Sequence, residues 1–413
     1  MGRLLYLELK RVVTARSVWI LLVILILLSA VLAYFPVSFE RTYRVDEQGN
    51  VSELSGMDAI AYQKQIEKEN NGEITEEKIR EAILVFQECY REYGAVFPPD
   101  VPIEVYVQKI LPVYPILKAA AHVLAREEVS VYTMTDADIV PDDAPKFYER
   151  YQERMAFKGK NEAEQEKIRE LNGGVKMPFT YNSGFSMTSL EYLSLYILLM
   201  LLVFIVIISP IFSAEYQTGA DSILRCTRYG RIHLAAAKIV TAVLIFAVTF
   251  LIGIGSFLLI TNQVYGAEGL ETSVQMLWDI FVIPALTVGQ AQSAAVAAGF
   301  LSIFAAVCCT LFLSARCRNV QDTLKIALLI VLLPVILYIV SDAEWVNVIR
   351  YLLPSGGVGL SNSFLYELLG TDFVHAGQTV IWSPCFIIGA ALAEIPLFLA
   401  LTVRTYCRRE STN

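Results

Sequence analysis

Two places in the sequence carry residues whose types and spacing could do chemistry. The first is Phe212–Lys238, where Glu215, Asp221, Arg225, Arg228 and Arg231 sit around two chain-turning glycines, Gly219 and Gly230. Mixed carboxylates and guanidiniums at this density suit charge-assisted contacts with another protein surface, of the kind that transmits force. A loop that merely anchors a membrane protein by positive charge accounts for the arginines, but not for Glu215 or the glycine pair. The second place is Glu394, inside an apolar run and two residues before Pro396. A carboxyl at that depth costs roughly 2.5–3.5 kcal/mol on insertion scales, so it must face protein or a wet cavity. It either lines a pathway or hydrogen-bonds the backbone that Pro396 frees.

Other chemistry is poorly served. No G-x-x-x-x-G-K-[ST] loop occurs to cradle a nucleotide's phosphates, and no H-E-x-x-H or G-x-S-x-G occurs. His122, His233 and His375 are scattered, and the seven cysteines show neither C-x-x-C nor His-bearing metal spacing. Asp136, Asp138, Asp142 and Asp143 cluster, but Val140 and Pro141 stand where a calcium loop needs an oxygen ligand and a glycine. The expectation is no catalytic constellation, no metal site and no cofactor held by this chain. A polytopic membrane enzyme is disfavoured for the same reason.

The elements that must position these residues are membrane helices. The chain is 55% hydrophobic and 18% charged, against about 25% charged for soluble domains. The charge is concentrated: 45 of the 154 residues in 37–190 are Asp, Glu, Lys or Arg, against 29 of the other 259. A nucleic-acid binder built on basic charge is excluded. A bilayer core needs about 20 apolar residues in a helix. Uncharged runs place six spans near 18–36, 192–213, 236–260, 293–315, 323–341 and 384–403. The run 280–315 is too long for one span, and Pro284 and Gly289-Gln290 are expected to break it. That leaves 275–287 as an outer interfacial or re-entrant piece. Pro334 is expected to kink span five.

Fourteen Lys and Arg residues flank one side of these spans, and only Arg350 lies in the opposite loops 261–292 and 342–383. By the positive-inside rule both termini are cytoplasmic and 37–190 is extracytoplasmic, in a multi-pass protein of the plasma membrane. Val31 and Ala33 fit a signal-peptide cleavage site, but the long apolar run favours an uncleaved anchor. The expected class is therefore an all-α polytopic membrane protein with a large, mostly helical outer domain between helices one and two. Residues 1–36 form an elbow helix and span one, 37–190 the outer domain, and 191–413 spans two to six.

Within the outer domain Thr75 caps a helix whose first turn holds Glu76 and Glu77, and Gly94 ends it. Further helices are expected near 56–69, 115–128, 143–157 and 161–171. Ahead of span one, Leu5, Leu9, Val12 and Val13 share one face of a short helix over 2–15, with Arg3, Lys10 and Arg11 pointing away. That pattern suits an elbow lying in the interface, or simply a charged end of span one. Small residues recur every fourth position in span four, at Ala294, Ala298, Ser302, Ala306, Thr310 and Ser314. Such a stripe lets backbones approach, within the chain or between subunits.

The cytoplasmic loop reads Glu215-Tyr216-Gln217-Thr218-Gly219, Ile223-Leu224, Thr227-Arg228-Tyr229-Gly230-Arg231 and Ala237-Lys238. It resembles the loop of ABC type 2 transporter permeases of the variety common in Gram-positive bacteria. Glu8-Leu9-Lys10-Arg11, Pro178-Phe179 and Leu286–Gln290 are similar in a looser way. The resemblance covers the membrane part, and the outer domain is larger than in many relatives. It implies a permease subunit, an exporter, paired with an ABC ATPase in trans that binds ATP and Mg. It also implies a second permease copy or paralogue. The loop 213–237 would serve as the ATPase-coupling element, with a coupling helix over about 218–227. Glu215, Gly219, Asp221, Leu224, Arg228, Gly230 and Arg231 are its candidate residues, and 342–383 would supply outer re-entrant helices. The rival expectation is a membrane-anchored sensor or scaffold whose outer domain binds a ligand or an envelope protein.

Overall fold

The computed structural model describes residues 2–46, 48–125, 130–226, 230–377 and 379–409. It is mostly helical, and six helices are long and apolar enough to cross a membrane. They are Arg16–Tyr34, extended by a 3-10 turn Phe35–Phe39; Met187–Ile208, continued by Pro210–Thr218; Ile232–Tyr265; Val288–Arg316; Val320–Val340; and Ser383–Arg408. These are spans one to six, and each overlaps an expected run. The elbow helix Gly2–Val13 precedes them, with Val12 buried and Leu5, Leu9 and Val13 half-buried.

Span four begins earlier than expected, and the reason is local. Thr287 Oγ1 accepts from the Gln290 amide at 3.3 Å, and Gln290 Oε1 accepts from the Thr287 amide at 3.0 Å. This reciprocal capping box starts the helix where Gly289-Gln290 was expected to break it. Gly289 is then a packing residue, since a Cβ there would stand 3.2 Å from the Leu270 carbonyl. Pro334 lies inside a continuous span five, and Ser355 Oγ donates to the neighbouring Val331 carbonyl at 2.7 Å.

Spans four and two form the centre of the bundle. Their most apolar stretches are 67% and 61% buried, against 22% and 17% for spans five and six. The small-residue stripe explains how span four is enclosed. Ala298, Ser302, Ala306, Thr310 and Ser314 are all buried within the chain. A Cβ on Gly357 would stand 2.6 Å from Ser302 Oγ, and one on Gly299 would stand 2.9 Å from Ile197 Cδ1. The stripe thus serves intramolecular packing. Ser314 does more. It donates to the Ser209 carbonyl at 2.7 Å and accepts from the amides of Phe212 and Ser213 at 3.0 and 3.1 Å. Span two is interrupted there by Pro210, and the new helical start leaves amides that need acceptors.

At one end of the bundle, 37–190 builds an apolar core from helices Met57–Ile66, Glu76–Tyr93, Leu111–Leu124, Phe147–Ala156 and Glu162–Asn172. A hairpin Arg41–Val45/Val51–Ser55 and a short pair Gly72–Glu73/Thr180–Tyr181 complete it. Thr75 and Gly94 bound their helix as read from sequence, Gly94 at φ +72°. This core is not closed by 37–190 alone. Ile280, Val282 and Ile283 from the loop after span three join it, as do Leu365, Leu368 and Trp382 from the loop after span five. The Tyr151 and Phe281 rings stack 6.2 Å apart, and Asn172 Nδ2 donates to Tyr151 Oη and to the Ile283 carbonyl. His375 Nε2 lies 2.8 Å from Glu164 Oε1. The expected re-entrant pieces 275–287 and 342–383 thus bury apolar residues in a core shared with 37–190. The basic residue of these loops, Arg350, is 2% exposed and paired to Glu367 at 2.8 Å.

One carboxyl of 37–190 is set apart by burial. Glu67 is 1% exposed and accepts from Tyr181 Oη at 2.6 Å. Desolvation pushes its pKa up to about 7 from the ordinary 4.5. The folded state thus favours the protonated acid. That contribution is complete below about pH 4.5 and is lost as pH rises through about 7. The thermal midpoint of the full chain in detergent should therefore fall between about pH 4.5 and 7, by the equivalent of ~3 kcal/mol. Glu67→Gln should lose that part of the fall over the same range. Parallel curves for the two proteins would assign the pH dependence elsewhere.

Candidate functional site

The other end of the bundle gathers the elbow helix, the described parts of the loops after spans two and four, and the end of span six. Arg409 Nη1 donates to the Ala315 carbonyl at 3.2 Å, and its guanidinium lies 3.8 Å over the Tyr216 ring. Tyr406 Oη donates to the Gly230 carbonyl at 3.4 Å. The segment that concentrates mixed charge in the sequence lies here.

Its backbone follows from its glycines. The helix Pro210–Thr218 ends at Gly219, which adopts φ +75°. No atom lies within 4 Å of where its Cβ would be, so backbone conformation rather than space selects glycine. A six-residue helix Ala220–Arg225 follows, and Arg231 precedes span three. Asp221 and Leu224 are half-buried, Gly230 is buried and Arg231 is exposed. Arg228 lies outside the described residues.

Glu215 is not at the surface. It is 6% exposed and sits at the centre of an ion cluster that joins three distant parts of the chain. Its Oε1 accepts from Lys238 Nζ of span three and from Arg11 Nη1 of the elbow helix, each at 2.5 Å. Lys238, with no solvent exposure, also donates to Glu8 Oε2 at 3.3 Å and to the Ile211 carbonyl at 3.2 Å. Arg11 Nη2 pairs with Glu8 Oε2 at 2.9 Å and donates to the same carbonyl at 3.1 Å. Two carboxylates and two cations are thus neutralised together, which is how buried charge is tolerated. The other Glu215 oxygen, Oε2, is buried and has no hydrogen-bond partner.

Sequence reading singled out Glu215 but not Glu8, Arg11 or Lys238 as its partners. A signal for Glu8 was available: it falls on the apolar face of the elbow helix, at helical spacing from Leu5 and Val12, where an acid requires a partner. Arg11 was expected to point away, yet its long side chain reaches back while staying 39% exposed.

Glu394 is separate from this cluster. It lies half-buried in span six, and its Oε2 is buried without a hydrogen-bond partner. The expected bond to backbone freed by Pro396 is not made by that oxygen. Of the aspartates clustered over 136–143, Asp138 Oδ2 accepts from Thr135 and Asp143 pairs with Lys146 and Arg150. Among the described residues no three His, Cys, Asp or Glu side chains converge as a metal site.

No family model matches the chain, and no curated protein matches it.

Removing one member of a buried ion cluster strands the others, at about 3–5 kcal/mol. Glu215→Leu or Lys238→Met alone should lower the thermal midpoint sharply, while the double variant should recover much of the loss. Strictly additive losses in this double-mutant cycle would show that the two side chains do not interact.

Proposed function

We propose that this chain is the membrane permease subunit of an ABC transporter, an exporter driven by a separate ATPase, with 37–190 outside the cell and both termini in the cytoplasm. The observation that carries the reading is the Glu215 cluster. The loop resembling a coupling element is ionically joined to the elbow helix and to span three, so a push on the loop has a stiff path into the membrane helices. The distribution of loops supports the orientation. Those after spans one, three and five share an apolar core at one end, while the Lys/Arg-rich loops and both described chain ends meet at the other. Spans five and six leave broad apolar faces open, which suits a second permease copy or paralogue.

In this reading the chain performs no covalent chemistry. ATP and Mg belong to the partner, whose docking on 213–237 tilts the helix Pro210–Thr218 about the break at Ser209-Pro210. Ser314 holds that break against span four, so the tilt is passed to the bundle centre. Asp221, Leu224, Arg228 and Arg231 would meet the ATPase, and Gly219 and Gly230 would set the shape of the loop. Glu394 would line the pathway.

A second reading, a sensor or scaffold, is favoured by one feature. The outer segment shares its core with two inter-span loops, so a ligand bound outside would bear directly on the spans. Affinity purification from native membranes separates the two readings. A P-loop protein recovered in near-equal amount is the expected result, and its reproducible absence beside an intact chain would favour the sensor. Arg228→Glu should then abolish export while leaving membrane insertion and the amount of chain unchanged. Undiminished export would remove Arg228 from the coupling contact.

A further inference from the structure

The segment that follows the hairpin of 37–190 fastens the ends of two spans. Lys64, on the helix Met57–Ile66, lies against Gly184 ahead of span two and against Gly266 just after span three. A Cβ on Gly184 would overlap Lys64 Cε, and one on Gly266 would stand 2.7 Å from Lys64 Nζ. Three residues further on, Glu67 accepts from Tyr181 Oη at 2.6 Å. Asn71 Oδ1 accepts from the Ser183 amide at 2.9 Å, and Gly72–Glu73 pairs with Thr180–Tyr181. The same stretch is tied to the loop after span three. The Ser273 amide donates to the Thr180 carbonyl at 2.9 Å, and the Asn182 amide to Thr272 Oγ1 at 3.0 Å. Residues 64–73 thus hold the chain entering span two and, through it, the chain leaving span three. At the far end of the bundle the same two spans are joined by Glu215 and Lys238.

One contact in this junction depends on a proton. Glu67 is buried, and among the described residues no cation pairs with it. Its hydrogen-bonding neighbours are Tyr181 from the strand and Gln63 from its own helix. The basic groups close by in the chain are turned elsewhere. Lys64 Nζ lies by Gly266, Lys78 Nζ donates to the Asn70 and Asn71 carbonyls, and Lys68 is exposed. On the hairpin packed beside the helix, Arg41 pairs with Glu53 at the surface, and Arg44 is exposed. The acids Glu69 and Glu73, and Glu268 and Glu271 of the loop after span three, are exposed as well.

We propose that Glu67 and Tyr181 are a pH-operated clasp on spans two and three, shut while Glu67 carries a proton and released when it ionises. In the shut clasp an ionised Glu67 has a hydroxyl and an amide in place of its water, and no cation. Lys68 and Glu69 next to it are exposed, so a turn of the chain after Ile66 is enough to bring its carboxylate to water. Tyr181 remains a donor throughout, because burial and Glu67 hold its hydroxyl well above the ordinary range. The sign follows from where the proton binds better. Burial pushes Glu67 up to about 7 with the clasp shut, against 4.5 in water. The shut form is therefore fully favoured below about pH 4.5, and that preference is lost as pH rises through 7. Between pH 5 and 8 the ratio of shut to open should fall about 70-fold. Release frees spans two and three at this end, while Glu215 and Lys238 still join them at the other.

Hydrogen exchange read by mass spectrometry tests this on the full chain in nanodiscs, with any tightly associated partner retained. Exchange times at pH 5 and pH 8 are scaled for the intrinsic chemical rate. Protection over 70–74 and 180–184, which hold the strand pair and the Ser183 amide, should be about 70-fold lower at pH 8. Protection of the helix Glu76–Tyr93 should be the same at both. Glu67→Gln and Glu67→Met cannot ionise, and each should make protection of the junction equal at the two pH values. Equal protection in the wild type, a difference that persists in the variants, or a loss that reaches Glu76–Tyr93 to the same extent would each overturn the clasp.

Discussion

An ammonium with no access to water has to be neutralised where it stands, and Lys238 imposes that requirement on three parts of the chain at once. Glu8 must be brought back from the N-terminal helix, Glu215 must be turned inward from the continuation of span two, and the Ile211 carbonyl must face the same point. The break at Ser209-Pro210 makes this possible, because the helix that follows it can take its own direction. Ser314 Oγ then accepts from both the Phe212 and Ser213 amides after the break and donates to the Ser209 carbonyl before it. One buried charge thereby ties the elbow helix, the helix Pro210–Thr218 and span three together, while Ser314 joins span two to span four.

The two ends of the molecule are held by different physics. At the basic end the joints are charged groups: Arg11 and Lys238 on the Glu8 and Glu215 carboxylates, and Arg409 on backbone carbonyls and the Tyr216 ring. At the opposite end the joints are apolar contacts packed among Phe179, Tyr151, Ile283 and Leu368, with hydrogen bonds such as Asn172 to the Ile283 carbonyl inside the contact. Close-packed interiors transmit displacement rather than absorb it. The loops after spans three and five are therefore coupled to 37–190 by close packing, and the loop after span two to the N-terminal helix and span three by paired charge.

Much of the architecture was legible because it is written in local patterns. Apolar runs marked all six spans, Thr75 and Gly94 marked the ends of their helix, and Gly219 marked the end of Pro210–Thr218. What escaped was either local but outweighed, or not local at all. The capping box of Thr287 and Gln290 was masked by Pro284 and Gly289, which read as a break. The pairing of Glu8 with Lys238 spans 230 positions and leaves no periodicity to detect. Arg11 was placed by the direction of its Cα on the elbow, whereas its guanidinium ends a flexible stem. The core that 275–287 and 342–383 share with 37–190 was not read from sequence, since contacts between loops carry no repeat. Of the candidate site, Glu215 and its glycines were found from sequence, and its ionic partners were not.

The core that 37–190 shares with the later loops also has a consequence in time. Synthesis runs from the N-terminus, so 37–190 is complete before Ile280–Ile283 exist, and well before Leu365, Leu368 and Trp382. Its apolar centre must therefore wait, unfinished, through the making of four further spans. During that interval the segment exposes surface that the mature fold hides. The last-made loops thus complete a core whose first residues were made near the start of the chain.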